Sequence, residues 1–107
     1  MAGCRLIRNE DIASAVLAVP EGHRHLRLAL TTRDGETLVL QEAAVASIVR
    51  AYTTVKTHPT KRAVRLVSAV PDGLKEGYAA HQLVEDDTPE GEVVLEITAL
   101  LSSQGRD

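Results

Sequence analysis

A tripeptide of one kind recurs along the chain: Pro20-Glu21-Gly22, Arg33-Asp34-Gly35, Pro71-Asp72-Gly73 and Pro89-Glu90-Gly91. Proline suits the first central position of a type I turn because its φ is already set. The acidic residue follows, and glycine then takes the left-handed conformation that a Cβ disfavours. This is the chemistry of a three-residue hairpin loop closed by a glycine bulge. Four copies set between apolar runs predict a β-rich chain.

Register strengthens the reading at the second turn. Pairing Thr32 with Glu36 sets Leu30 opposite Leu38 and Leu28 opposite Leu40 on one side. A two-residue turn would put Leu30 opposite Val39 and divide the leucines between two faces. Around the last turn, pairing Thr88 with Glu92 sets Leu83 opposite Ile97 and Ala79 opposite Leu101. Val93, Leu95, Ile97, Ala99 and Leu101 alternate with Glu92, Val94, Glu96 and Thr98, so a half-buried strand with one wet face is expected. Around Pro71-Asp72-Gly73 a tight turn would set Leu66 opposite Tyr78, and a longer loop through Gly77 is preferred. Ala13 to Val19 reads either as a strand or as a short helix capped by Asn9 and stopped by Pro20. The turn that follows directly favours the strand. Cys4 to Arg8 is expected as a short edge strand.

One stretch breaks the strand pattern. Over Glu42 to Thr57, Ala44, Val45, Ile48, Val49, Ala51, Tyr52 and Val55 share one stripe at 100° per residue. That stripe is expected to face the sheet. Glu42 suits the positive end of the helix dipole and Lys56 the negative end. Pro59 stops the helix and pushes His58 to an extended conformation. The opposite face holds Ala43, Ala46, Ser47, Arg50, Thr53 and Thr54. It is small and nearly uncharged, which suits a close-packed partner.

Composition narrows the function. The length of 107 residues fits one domain, and 44% hydrophobic residues suffice for a core, but aromatics are only 2%. The core must be aliphatic, and a small aliphatic core is marginal without a partner surface. A net charge of -3 argues against a dedicated nucleic-acid binder. Cys4 is the only cysteine, so no internal disulfide forms. No apolar run is long enough for a membrane span, and cytoplasmic is the expected location.

His23 and His25 are the metal-ligand candidates, since on a strand they would share a face. No good third ligand falls beside them in register, and no metal or other cofactor is expected. Lys56, His58, Lys61, Arg62 and Arg65 form a basic stretch that could hold a phosphate, although a helix C-terminus repels anions. Glu85, Asp86, Asp87, Glu90, Glu92 and Glu96 form its acidic counterpart, so opposite charges are expected to meet within the fold or between subunits. No spacing pairs Cys4, the serines and the histidines for nucleophilic catalysis, so an enzyme is the minority reading.

The expectation is an α+β fold in the order β-β-β-α-β-β-β, an antiparallel sheet of about six strands with one central helix packed on one face. It forms a single domain over 1–101, with a disordered tail over 102–107. The expected function is a small non-enzymatic binding or assembly module that pairs with itself, Ala43, Ala46, Ser47, Arg50 and Thr54 lying at the contact. Two-fold symmetry would bring Ala46 or Ser47 near its own mate. The alternative is an anion-binding domain, for a nucleotide or nucleic-acid phosphate, built on the 56–65 basic loop.

Overall fold

The computed structural model describes residues 3–70, 72, 73 and 79–103. Strands β1 (Ile12–Ala18), β2 (Arg27–Thr32) and β3 (Thr37–Gln41) form an antiparallel sheet in that order. Helix α1 (Glu42–Thr57) follows. Strands β4 (Leu66–Ala69) and β5 (Gln82–Glu85) pair antiparallel in a second sheet, and helix α2 (Glu90–Ser103) ends the order. The fold is α+β, but with five described strands in two sheets instead of about six.

The β2–β3 hairpin forms as its residues dictate. Leu30 faces Leu38 and Leu28 faces Leu40. Thr32 donates its N–H to Glu36 O at 2.9 Å, and Gly35 donates to Thr32 O at 3.0 Å. Gly35 has φ +94°, the left-handed region where a side chain is strained. The Thr32 hydroxyl donates to the Asp34 carboxylate inside the turn. Thr32, only 3% exposed, is thereby anchored within its own loop. That hydroxyl bond, then the Glu36 amide, holds the Asp34 carboxyl below the usual carboxylate range, and Arg5 adds to the effect.

β1 extends the sheet, so the strand reading of residues 13–19 holds. Leu17 pairs with Leu28 and Ala15 with Leu30. Ile12 pairs with Thr32 but Ser14 with Thr31, leaving Ala13 as an extra residue in a bulge. The β1–β2 connection is longer than the expected three-residue loop. It runs over 19–26, and its tight turn is centred on Glu21 and Gly22, with His23 donating to Pro20 O at 3.0 Å. His23 and His25 therefore lie in a loop and share no strand face. Cys4 to Arg8 forms no strand either. A 3-10 turn over Asn9–Asp11 leads into β1. Arg5 crosses to the hairpin turn, 3.0 Å from Asp34 and 2.8 Å from Glu36. Arg33 answers from the turn, donating to Asp11 O at 2.8 Å and Glu10 O at 2.5 Å. These groups tie the N-terminal segment down by side chains and turn amides, where a strand would have used a ladder.

In the second sheet Leu66 pairs with Glu85, Val67 with Val84 and Ser68 with Leu83. The connection is thus longer than a tight turn at Asp72-Gly73, as the leucine and tyrosine positions required. Gly77 and Tyr78, on which that longer loop was built, lie outside the described residues.

α1 has the bounds read from the sequence, and its faces are the surprise. It lies beside β5 and also touches β2 and β3. Ser47 is its most buried residue at 7% exposed, with Ala43, Ala44, Val45, Ala46, Ala51, Thr54 and Val55 half-buried. The expected sheet-facing stripe is divided: Ala44, Val45, Ala51 and Val55 are half-buried, whereas Ile48 is 45%, Val49 55% and Tyr52 66% exposed.

The last segment overturns the expected strand. Glu90–Ser103 is a helix, and Gly91 lies in its first turn instead of a hairpin loop. Gly22, Gly35 and Gly73 do take positive φ. Apolar residues at 93, 94, 95, 97, 99, 100 and 101 satisfy a period of two and a period of 3.6 together. Val93, Val94, Ile97, Leu100 and Leu101 share one helical stripe. Glu90 and Glu92 in the first turn suit the positive helix end. Pro89 O accepts from Val93 N–H at 3.2 Å and so starts the helix. The Thr98 hydroxyl returns to Val94 O at 2.7 Å, satisfying in the helix a group that would favour a strand.

Gly35→Ala tests the hairpin. An added Cβ meets no atom within 4 Å, so only the left-handed backbone opposes it. The expected loss is about 1–2 kcal/mol, read as a lower urea midpoint. An unchanged midpoint would show that this turn relaxes freely.

Candidate functional site

Where β2 starts, β3 ends and α1 begins, three elements diverge and leave a groove of about 440 Å³. Arg27 enters from the first residue of β2, Gln41 and Glu42 from the β3–α1 junction, and Ser47 and Arg50 from successive turns of the helix. His25 and Gln82 close the ends, from the loop before β2 and the start of β5. The geometry follows from local chemistry. Gln41 has extended dihedrals and passes directly into the helix, so β3 and α1 share a sharp corner. Small residues at Ala43 and Ala46 keep the floor open.

Most lining groups have defined partners. Glu42 accepts the Leu26 N–H at 2.6 Å and lies 3.6 Å from His25 Nδ1. Arg27 donates to His25 O at 3.1 Å and Leu26 O at 3.3 Å. Gln82 donates to Ala79 O at 3.0 Å. Neither Arg27 nor Arg50 forms an ion pair among the described residues. The Gln41 side chain makes no bond to the helix start although it occupies the cap position.

Four of the residues expected at a self-contact, Ala43, Ala46, Ser47 and Arg50, therefore line a groove. Thr54 is half-buried on the same side of the helix.

The basic loop has a different fate. Lys61 pairs with Glu85 at 2.5 Å. Arg65 pairs with Asp86 at 2.8 Å and Glu96 at 3.2 Å. Arg62 donates its backbone N–H to Glu90 at 2.6 Å. His58 Nδ1 accepts the amides of Thr60 at 3.1 Å and Lys61 at 3.0 Å, so that nitrogen is engaged in closing the loop. Among the described residues the side chains of Lys56, His58 and Arg62 make no ion pair with the acidic stretch. The opposite charges thus meet within one chain. Residues 85–96 fold back over residues 61–65, and Arg65 reaches both β5's end and α2.

Asp86 is central to that closure. Its carboxyl sits below the ordinary value of 3.8, chiefly because it accepts the Thr88 N–H, with Arg65 helping. The Arg65 guanidinium is correspondingly raised by its bond to Asp86.

Among the described residues no three His, Cys, Asp or Glu side chains converge as a metal site. No helix there is long and apolar enough to cross a membrane. Comparison of the chain with protein-family models, with curated proteins and with solved structures finds no match to any of them.

The Asp86 closure gives a pH prediction. A folded value below the unfolded one stabilises the protein above the ordinary aspartate range, and that contribution is lost as pH falls through it. Asp86→Asn should lower the urea midpoint at pH 7 and shallow its decline below pH 4. Equal acid limbs in wild type and variant would remove Asp86 from the closure.

Proposed function

We propose that this chain is a small non-enzymatic assembly module that works as a homodimer. The observation that carries the reading is apolar surface without cover. No apolar side chain among the described residues is fully buried. The chain exposes 8485 Å², whereas a compact monomer of 11.5 kDa would expose about 5,800 Å². Its radius of gyration is 16.0 Å, against about 13 Å for a compact chain of this length.

The area and the chemistry select a second copy as the occupant. Val49, Ile48 and Tyr52 present one continuous strip along α1. Ile97, Leu100 and Leu101 present another on α2, which rests on the chain through Arg65 and Glu96. Two strips of matching length on one chain suit an isologous contact, in which each meets its counterpart on the partner. In that dimer α1 becomes the central layer. Its small face lies against its own strands, and its apolar face lies against the other protomer. A core shared between two copies answers the shortage of aromatic bulk. A cytoplasmic setting belongs to the same proposal.

The contact sits on the Ile48–Val49–Tyr52 side, away from the groove. Val49→Asp would place a charge in the shared core and should weaken association at least tenfold, a loss of about 1.4 kcal/mol or more. Light scattering should report a shift from dimer to monomer mass. Ala46→Glu, on the groove side, should leave the mass unchanged. The wild-type melting temperature should rise with protein concentration. A wild type that is monomeric at high concentration would overturn the proposal.

A further inference from the structure

We infer that the groove at the start of α1 binds the oxyanion of a small molecule, a phosphoryl or carboxylate group, between Arg27 and Arg50. Arg5, Lys61 and Arg65 each reach a carboxylate. Arg27 and Arg50 do not, although both line the same concavity. Arg27 is held by two backbone carbonyls, which fix its guanidinium and leave donors on the fork to spare.

The carboxylate in the groove does not cancel them. Glu42 Oε1 already accepts the Leu26 amide and lies 3.6 Å from His25. The lining carries two guanidiniums against this one carboxylate. The first-turn residues Glu42 and Ala43 line the same groove, at the helix end where an anion is favoured, and the Gln41 side chain does not cap that end.

Ser47 adds an independent sign. It is one of two buried polar residues, and its hydroxyl bonds to no described residue. Yet no described buried oxygen is both sealed and unpaired, so the Ser47 hydroxyl opens onto the groove that it lines. A hydroxyl kept inside without a protein partner is suited to a ligand oxygen. The volume of about 440 Å³ accommodates a metabolite-sized molecule. The basic loop is a poorer place for the same anion, because Lys61 and Arg65 are already paired.

The test titrates the wild-type chain with inorganic phosphate and, separately, with malonate at low salt, followed by amide NMR. Saturable shifts at the amides of residues 27, 42, 47 and 50 with either probe are expected, and which probe acts names the oxyanion. Arg50→Gln and Arg27→Gln should each weaken binding about tenfold. Arg50 is exposed on a helix, so its variant keeps the fold, as circular dichroism will check. Lys61→Ala with Arg62→Ala should leave the affinity unchanged. The inference is overturned if neither probe shifts these amides, or if binding survives Arg50→Gln and is lost with the Lys61 and Arg62 pair. Since Val49→Asp removes association and leaves the groove intact, the outcome is separate from that of the dimer.

Discussion

Leu17, Leu28 and Leu40 stand in one row across three strands, and Ala15, Leu30 and Leu38 in the next. The chain has two tyrosines and no phenylalanine or tryptophan, and Tyr52 is exposed. A side chain gains its transfer free energy only when its surface leaves water. Rows of leucine one layer deep remove part of that surface and no more. The arrangement of every other element follows from this shortfall. α1 adds cover with small residues, α2 adds little cover for itself, and the larger aliphatics accumulate on the outside.

Charge takes over part of the task that the core leaves undone. Arg5 fastens the N-terminal segment to the hairpin turn, and Arg33 fastens the turn to the segment. At the other end Lys61 and Arg65 hold residues 85–96 against the exit of α1. These pairs are exposed, so solvent screens each of them. Their value is in position: they fix where α2 leaves the body and which of its sides faces away. That is also why the basic and acidic stretches, so distinct along the sequence, largely neutralise each other in space.

The two faces of α1 divide the molecule's surface. One side, with Ala43, Ala46, Ser47 and Arg50, bounds a groove in which two arginines stand among small and polar residues. The other, with Ile48, Val49 and Tyr52, is apolar and open. A ligand and a second subunit would make opposite demands on solvation, and the helix separates them by roughly half a turn. Small residues on the groove side leave volume at the start of the helix.

Much of the architecture was legible because it is local. Thr32, Asp34 and Gly35 carry a turn whose geometry is decided within five residues, and the leucine spacing then admits one register. Glu42 and Pro59 mark the ends of α1 through dipole and backbone restriction, and both marks hold. Residues 93–101 could not be read the same way. Their apolar positions fit a strand and a helix alike, and the choice depends on whether a partner strand is present to accept their backbone groups. β4 and β5 pair without it in a two-stranded sheet, and the segment satisfies its own amides as a helix. The groove was equally hidden, since Arg27, Gln41 and Arg50 have no common spacing and meet only where β2, β3 and α1 converge. Turns, register and the span of α1 belong to the sequence alone, because neighbours along the chain decide them. The fate of 90–103, the inward face of α1 and the pairing of Arg65 with Asp86 belong to the tertiary structure, because each is settled by which distant groups are left without a partner.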